Sequence, residues 1–484
     1  MKHYDCIIIG TGPAGQKAAI QAAKLGKSVA IIEKSKVVGG AQVNTSTIPS
    51  KAMREAAMHL TGASRRGWQG RGYRVKKDIT IADLVAVSDR VVRHEWEVIR
   101  EQFDRNNVDL IWGTAHFEGP NLIQVVREDD NEMLTADKFL VAVGTRPAKP
   151  TSIPFNNTDV LCSDTLLQLK KLPKTMIVVG GGVIGVEYAC IMATLGVRVT
   201  LIEGRHQVLG FIDDELQGAF QYLMRQDGIT LRLGEKVTEI NELTAKDGTE
   251  TRSVKGSLVE AVLESGKHIR AETLLYSVGR QGVCGKLALE NVGITYDDRE
   301  RLKVNEHYQC LNMEDPENPR AIEHVYAAGD VIGFPALAST SFEQGRRAVC
   351  HAFGVEVEGW NQDLFPFGIY AVPEISMVGK TEKQLTDEGI PYEAGIAHYR
   401  EIARGQIIGD DQGMLKPLIH QETHELLGVH AMGTGATELI HIGQTCMALG
   451  GKAEFFINNV FNFPTLAEAY KIAAYNGLNK LAHV

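Results

Sequence analysis

Two glycine-rich segments carry the clearest chemical pattern in this 484-residue sequence. In each, an apolar run leads into glycines at the first, third and sixth positions of a turn, and the next apolar run ends in a glutamate. The residues are Gly10, Gly12, Gly15 and Glu33 in the first copy and Gly180, Gly182, Gly185 and Glu203 in the second. This spacing is typical of a strand–turn–helix–strand unit with a tight, close-packed turn. Each copy therefore predicts a pyrophosphate site at a positive helix end.

The glutamate of each copy lies 23 residues after the first glycine (33 − 10 and 203 − 180). A carboxylate at that separation along the sequence can accept hydrogen bonds from a ribose diol. Both copies have the complete strand–turn–helix–strand–acid context, which a chance glycine-rich turn lacks. Two such units indicate two dinucleotides, and a flavin with a nicotinamide is the pair that exchanges hydride.

Composition excludes several other classes of function. Hydrophobic residues make up 44% and charged residues 23% of the chain, as in soluble globular proteins. A net charge of −9 argues against nucleic-acid binding, and no apolar run approaches the ~18 residues of a membrane span. The seven cysteines form no CxxC pair, and the histidines are dispersed, so we expect no metal site. These features predict a cytoplasmic protein.

Three further segments resemble motifs of the two-dinucleotide disulfide reductases, the family of dihydrolipoamide dehydrogenase and glutathione reductase. They are residues 140–146, similar to the turn that closes the FAD domain, residues 274–280, similar to the strand returning from the nicotinamide domain, and residues 325–330, similar to the second FAD motif. The resemblance implies FAD in the first site and cofactor contacts at Gly144 and Gly279. It also implies that Asp330 binds the ribityl chain, Ala115 lies near adenine, and Ala338 lies near the flavin.

The same resemblance implies the architecture. We expect an α/β fold with two Rossmann-like domains and a C-terminal α+β dimerisation domain. The FAD-binding domain is expected over residues 1–150 and 273–350, the NAD(P)-binding domain over 151–272, and the interface domain over 360–484. Because this family forms two-fold dimers, we expect a homodimer or a larger homo-oligomer.

The segment that follows Glu33 lacks the redox disulfide of that family. Dithiol members have two cysteines, separated by four residues, before Ile-Pro-Ser-Lys; here Gln42 and Thr47 hold those positions. Dithiol members also place a histidine before a Pro-Thr pair as the acid–base partner of the thiol, and here that residue is Phe463. An amide, a hydroxyl and a phenyl ring supply neither a thiolate nor a proton carrier. Thiol–disulfide exchange is therefore excluded.

The residues that serve hydride transfer remain. Lys51 follows Ile-Pro-Ser, where the lysine of the family lies against the flavin ring. Glu187, two residues beyond Gly185, matches the glutamate that pairs with that lysine. The resemblance implies that Lys51 and Glu187 are catalytic, because an ammonium beside the ring favours the charge of the reduced flavin. Gln42 and Lys51 are also expected to contact the cofactor.

The substituted segment and the aromatic–Pro–Thr run are similar to those of the soluble pyridine nucleotide transhydrogenases. Members of that group keep the first cysteine, so Gln42 departs from their pattern. The implied reaction is NADPH + NAD⁺ ⇌ NADP⁺ + NADH, with FAD as the relay and both nucleotides as substrates. Two alternatives stay open: an NAD(P)H diaphorase or quinone reductase on the same fold, and a flavin-binding redox sensor that does not turn over.

The choice between NAD and NADP is left open by the residues after the second apolar run. A 2′-phosphate about 4 Å from the Glu203 carboxylate would be opposed by up to ~4 kcal/mol at an effective dielectric of about 20, which favours NAD. Arg205, two residues further on, is a candidate ligand for that phosphate. We therefore expect FAD, NAD and NADP as cofactors, with no preference assigned between the last two.

Overall fold

Apolar strands alternate with helices along most of the chain, as expected for an α/β protein. The computed structural model describes residues 1–62, 78–243 and 258–481. Within these residues the strands are β1 Lys2–Ile9, β2 Val29–Glu33, β3 Asp109–Trp112, β4 Thr114–Gly119, β5 Leu122–Val126, β6 Asn131–Val141, β7 Thr145–Pro147, β8 Val160–Leu161, β9 Thr175–Val179, β10 Arg198–Glu203, β11 Thr230–Leu233, β12 Val237–Leu243, β13 Leu258–Leu263, β14 His268–Ala271, β15 Thr273–Tyr276, β16 Arg280–Gly282, β17 Gln309–Asn312, β18 Arg320–Ala327, β19 Phe367–Ile369, β20 Ile375–Gly379, β21 Tyr392–Ala394, β22 Ala397–His398, β23 Met414–His420 and β24 Leu426–Met432.

The helices in the same parts of the chain are mostly short. They are α1 Pro13–Lys24, α2 Gly40–Asn44, α3 Thr47–Thr61, α4 Ile81–Arg105, α5 Ser163–Leu166, α6 Val183–Thr194, α7 Asp214–Gln226, α8 Ala338–Ala352, α9 Glu382–Glu388, α10 Ala403–Ile408, α11 Ala436–Ala448, α12 Glu454–Asn458 and α13 Glu468–Leu481. Across the described ranges, no helix combines the length and apolar character needed to cross a bilayer.

The chain divides into two compact units. The first comprises Met1–Ala52, Val85–Ala148 and Gly279–Gly359, and the second comprises Met53–Leu84, Lys149–Val278 and Trp360–Val484.

The first unit is built on an eight-stranded sheet whose parallel part has the order β18–β6–β1–β2–β3. Strand β17 pairs antiparallel with β18, and the hairpin β4–β5 pairs antiparallel with β6. Alternate residues of β1 enter two different apolar clusters: Ile7 and Ile9 join one, and Cys6 and Ile8 join the other. The sheet is therefore buried on both faces, which explains why β1 is an almost unbroken apolar run.

The second unit contains a five-stranded parallel sheet of order β11–β10–β9–β15–β8 and a small antiparallel sheet, β12–β13–β14. It also contains a six-stranded antiparallel sheet, β19–β20–β24–β23–β21, with β22 on β23. Helix α6 is buried continuously from Gly185 to Met192, so it packs as a core helix rather than an amphipathic one.

Strand β15 belongs to the second parallel sheet. Its residues, Thr273–Tyr276, pair in parallel with β9, and Leu274 and Leu275 also pair with β8. Both leucines are fully buried, which places them in the centre of the second parallel sheet. The second parallel sheet therefore includes residues as far as Tyr276. The expected domain bounds stay a prediction.

Candidate functional site

The two glycine-rich turns have nearly the same geometry. Gly10 and Gly180 follow β1 and β9 with φ of +105° and +108°, a left-handed backbone that favours glycine. A Cβ on Gly15 would lie 1.9 Å from the Gly10 carbonyl oxygen, and one on Gly185 would lie 2.0 Å from the Gly180 carbonyl oxygen. Only glycine therefore allows α1 and α6 to approach their strands so closely.

The middle glycine of each turn faces open space. Gly12 and Gly182 are the N-cap residues of α1 and α6, and neither helix has a side-chain cap. A Cβ on either glycine would meet no atom within 4 Å. The first-turn N–H groups are thus accessible to an anion at the positive helix end. Both turns fit the pyrophosphate of a dinucleotide.

The first glutamate is anchored by the turn that it follows. Glu33, which is 7% exposed, accepts at Oε2 from the Thr11 N–H at 3.1 Å and the Thr11 hydroxyl at 2.5 Å. Its Oε1 accepts from the Ser35 N–H at 2.8 Å. A carboxylate oxygen accepts about two hydrogen bonds, so Oε1 keeps capacity for a ribose hydroxyl.

The second glutamate repeats this arrangement and adds an arginine. Glu203 accepts from the Gly181 N–H at 2.6 Å and from the Arg205 N–H at 2.9 Å. The Arg205 guanidinium donates to the same carboxylate, from Nε at 3.0 Å and from Nη2 at 3.2 Å. Burial acts to raise the pKa of Glu203, but the hydrogen bonds from Arg205 and Gly181 bring that pKa below its usual value. The Arg205 side chain is 59% exposed, so the ion pair borders solvent.

Three separate sequence motifs meet within the first unit. Gly144 and Gly279 immediately precede β7 and β16, which pair with each other. The Thr145 hydroxyl donates to Asp330 Oδ2 at 3.1 Å and accepts from Arg280 Nε at 2.7 Å. Sequence reasoning missed Arg280 and Thr145 as parts of this group, although their place directly after the two glycines was a usable indication.

The two alanines of the first unit lie apart along the chain. Ala115 is buried in β4 and pairs with Val125, whereas Ala338 is half-buried and is the first residue of α8. Their roles near adenine and the flavin stay predictions.

The expected catalytic residues are on two helices. Lys51 is half-buried on α3 in the first unit, and Glu187 is 4% exposed on α6 in the second. A carboxylate in such a buried helix needs hydrogen-bond donors, and the Tyr370 N–H donates to Glu187 Oε1 at 2.9 Å. The pairing of Lys51 with Glu187 stays a prediction.

No cysteine is placed for thiol chemistry. Gln42 and Thr47 are half-buried on α2 and at the start of α3, and the Phe463 side chain is 67% exposed. All seven cysteines of the chain are free and buried. Burial raises the pKa of Cys6, Cys190 and Cys284 to about 12.

Three carboxylates in the second unit gather around a lysine rather than around an open centre. Lys416 Nζ lies 2.8 Å from Asp213 and Glu215 and 2.7 Å from Glu382, and the lysine side chain is fully buried. Burial acts to raise the pKa of Asp213, but the neighbouring His430 and Lys416 hold it below its usual range. This cluster is an ion-pair network.

Two family profiles together match most of the chain. The family profile described as pyridine nucleotide-disulphide oxidoreductase matches residues 4–345, and the profile of its dimerisation domain matches residues 365–474. This chain belongs to the pyridine nucleotide-disulphide oxidoreductase family. The resemblance found in the sequence and the α/β fold class with its C-terminal dimerisation domain are thereby confirmed, and the protein is an oxidoreductase of that family.

Similar members are found among both sequences and structures. A soluble pyridine nucleotide transhydrogenase from Mycobacterium bovis is 49% identical over 483 residues, covering 99% of this chain and 98% of the relative. One from Vibrio parahaemolyticus is 41% identical over 485 residues, covering 99% of each. The HOCl-induced flavoprotein disulfide reductase RclA from Escherichia coli, solved as a Cu(II) complex, has a TM-score of 0.84 at 25% identity, covering 98% of this chain and 99% of RclA. LpdA from Mycobacterium tuberculosis shares the fold, with a TM-score of 0.85 at 24% identity over 98% of this chain and 99% of LpdA.

Proposed function

We propose that this oxidoreductase is a soluble, FAD-dependent transhydrogenase that transfers hydride from NADPH to NAD⁺. The proposal rests on one combination of features. The chain has two glycine-rich turns of matching geometry, and Gln42 and Thr47 occupy the positions where dithiol members have their redox cysteines. A chain that can bind two dinucleotides but offers no thiolate must pass hydride between nucleotides or to an outside acceptor. The names of the full-length relatives support the first choice.

The first turn is the proposed FAD site. The N–H groups at the start of α1 bind the pyrophosphate, and Glu33 Oε1 accepts from a ribose hydroxyl. The other proposed contacts are Gln42, Lys51, Ala115, Gly144, Asp330 and Ala338. When bound, FAD supplies a ring system that takes up hydride from one nicotinamide and gives it to another.

The second turn is the proposed site for both nicotinamide nucleotides, together with Gly279. Glu203 accepts from the ribose diol of NAD⁺. For NADPH, the Arg205 guanidinium turns from Glu203 to the 2′-phosphate, which a planar guanidinium binds with two parallel hydrogen bonds. Because the first turn is taken by FAD, the two nicotinamides share one site and bind in turn, which is a ping-pong sequence.

Lys51 and Glu187 are the proposed catalytic residues. The Lys51 ammonium stabilises the negative charge that develops beside it during hydride transfer, and Glu187 orients that ammonium. The Tyr370 N–H donates to Glu187 Oε1 at 2.9 Å and so holds the carboxylate in place. No proton is transferred by these residues, and geometry supplies most of the rate acceleration.

The wider organisation is proposed from the same family. We infer a homodimer or larger homo-oligomer formed by the C-terminal domain at residues 360–484, and a location in the cytoplasm. The proposed FAD-binding domain comprises residues 1–150 and 273–350, and the proposed NAD(P)-binding domain comprises residues 151–272.

Steady-state kinetics test this function against quinone reduction. With NADPH and NAD⁺ varied together, a shared site predicts parallel lines in double-reciprocal plots and formation of NADH. A protein that forms no NADH from saturating NAD⁺, yet oxidises NADPH with a quinone, would instead be a diaphorase.

A further inference from the structure

One turn of the C-terminal domain makes hydrogen bonds to side chains of two different helices. The turn comprises residues 370–374, between β19 and β20. At its start, the Tyr370 N–H donates to Glu187 of α6 at 2.9 Å. The next carbonyl oxygen, that of Ala371, accepts from Arg54 Nε of α3 at 2.9 Å. At its end, Glu374 Oε1 lies 3.2 Å from Arg54 Nη2.

Arg54 is not an ordinary surface arginine. Its side chain is 6% exposed, and that of its partner Glu374 is 12% exposed. Glu374 is held in turn by the Thr437 hydroxyl, which donates to Oε2 at 3.0 Å from the first turn of α11. The remaining Arg54 nitrogen, Nη1, reaches the exposed Glu55. A buried guanidinium with a fixed carboxylate and a fixed carbonyl as acceptors holds its helix in one position.

Lys51 is on the same helix, one turn before Arg54. Three residues of an α-helix span about 4.5 Å along its axis. Lys51 therefore lies within one helical turn of Arg54, and the turn at 370–374 that binds Arg54 also binds Glu187.

We propose that Arg54 is a positioning residue for hydride transfer, because it fastens the helix that carries Lys51 to the same turn that holds the Glu187 carboxylate. This inference rests on the proposed roles of Lys51 and Glu187. Arg54 is not expected to contact either nucleotide. Its effect on hydride transfer is through the positions of the two helices and of the turn at 370–374. Misplacement of a catalytic group by about 1 Å can lower a rate on the order of a hundredfold, so an anchor of this kind has a measurable effect.

The test uses the FAD-loaded enzyme and compares Arg54→Met with Glu55→Gln. The second variant removes only the exposed partner of the same guanidinium. We expect Arg54→Met to lower the rate of flavin reduction at saturating NADPH by about tenfold or more, with the KM for NADPH changed less than about twofold. Glu55→Gln should match the wild type in both.

The flavin midpoint potential separates positioning from simple stability. A displaced Lys51 ammonium stabilises the reduced flavin less, so the potential of Arg54→Met should become more negative, whereas a stability defect lowers only the fraction of enzyme that retains FAD. Arg54→Lys keeps the buried charge but cannot bridge both acceptors, so its rate and potential should lie between those of Arg54→Met and wild type. Wild-type rates and potential in Arg54→Lys, or a loss confined to KM in Arg54→Met, would overturn the inference.

The outcome is distinguishable from failure of the proposed function. Flavin reduction by NADPH is measured before any acceptor is added. If the wild type never passes hydride to NAD⁺, the transhydrogenase proposal fails, while the ratio of reduction rates between the Arg54 variants and wild type still decides the role of Arg54.

Discussion

The Arg205 guanidinium donates two hydrogen bonds to the Glu203 carboxylate, at 3.0 Å and 3.2 Å. A carboxylate suited to a ribose diol therefore lies next to a guanidinium suited to a 2′-phosphate. Side-chain hydrogen bonding to Glu203 raises the pKa of Arg205, so the guanidinium stays charged throughout the working pH range. In the proposed function, Glu203 serves NAD⁺ and Arg205 serves NADPH at the same pocket.

Removal of Arg205 should affect one nucleotide far more than the other. Arg205→Ala deletes the 2′-phosphate ligand, and a charge-assisted hydrogen bond contributes about 1.5–3 kcal/mol. We expect kcat/KM for NADPH to fall by about tenfold or more, with that for NADH changed little. Arg225→Ala, at an exposed arginine of α7, is the matched control. An equal loss for NADPH and NADH would show that Arg205 does not bind the 2′-phosphate.

Alanine at the third glycine of each turn should separate the two sites. In Gly15→Ala and Gly185→Ala, the new Cβ would lie about 2 Å from a carbonyl oxygen that cannot move away, so the helix must shift. We expect Gly15→Ala to be purified without FAD, and Gly185→Ala to retain FAD that NADPH no longer reduces. Absorbance spectra before and after NADPH addition measure both effects. Gly218→Ala, where a Cβ meets nothing within 4 Å, is the control. If Gly15→Ala kept FAD and Gly185→Ala lost it, FAD would bind at the second turn and the nicotinamide nucleotide at the first.

The buried lysine of the second unit should be important for stability. Lys416→Met leaves the buried Asp213 carboxylate without its ammonium, and loss of one partner from a buried ion pair costs about 3–5 kcal/mol. Calorimetry should therefore show a lower unfolding midpoint. Lys383→Met, at an exposed lysine on α9 paired with Asp387, should leave the midpoint unchanged. If Lys416→Met unfolded at the same temperature as wild type, the Lys416 charge would not be needed to stabilise the three carboxylates in the folded protein.

Thiol reagents should not inactivate the native enzyme. Burial raises the pKa of Cys6, Cys190 and Cys284 to about 12. At pH 8 such thiols are almost entirely protonated, and the thiolate is the reactive form. Labelling by iodoacetamide should therefore be slow at pH 8 and become faster only as the pH rises towards 10, and hydride transfer should survive the treatment. Rapid loss of activity at pH 7 would point to a reactive cysteine and contradict the account.

The sequence was sufficient for those parts of the site that depend on local backbone sterics. Gly10 and Gly15 are only five residues apart, and the need for a left-handed turn and a close helix leaves glycine as the only choice at each. The same holds for the second turn. The absence of redox cysteines was also a matter of residue identity alone.

The parts that the sequence did not predict join residues far apart in the chain. Thr145 and Asp330 are separated by 185 positions, and Arg54 and Ala371 by 317. Nothing local marks Lys416 as a fully buried lysine, because its carboxylate partners come from other elements. The pairing of β15 with β9 is likewise a long-range contact.

The central claim is that hydride enters from one pyridine nucleotide and leaves to another. Under anaerobic conditions, one equivalent of NADPH should bleach the flavin absorbance of the purified enzyme, and added NAD⁺ should restore it with formation of an equal amount of NADH. If the colour stays bleached with NAD⁺ and returns only with a quinone or a disulfide substrate, the claim is contradicted.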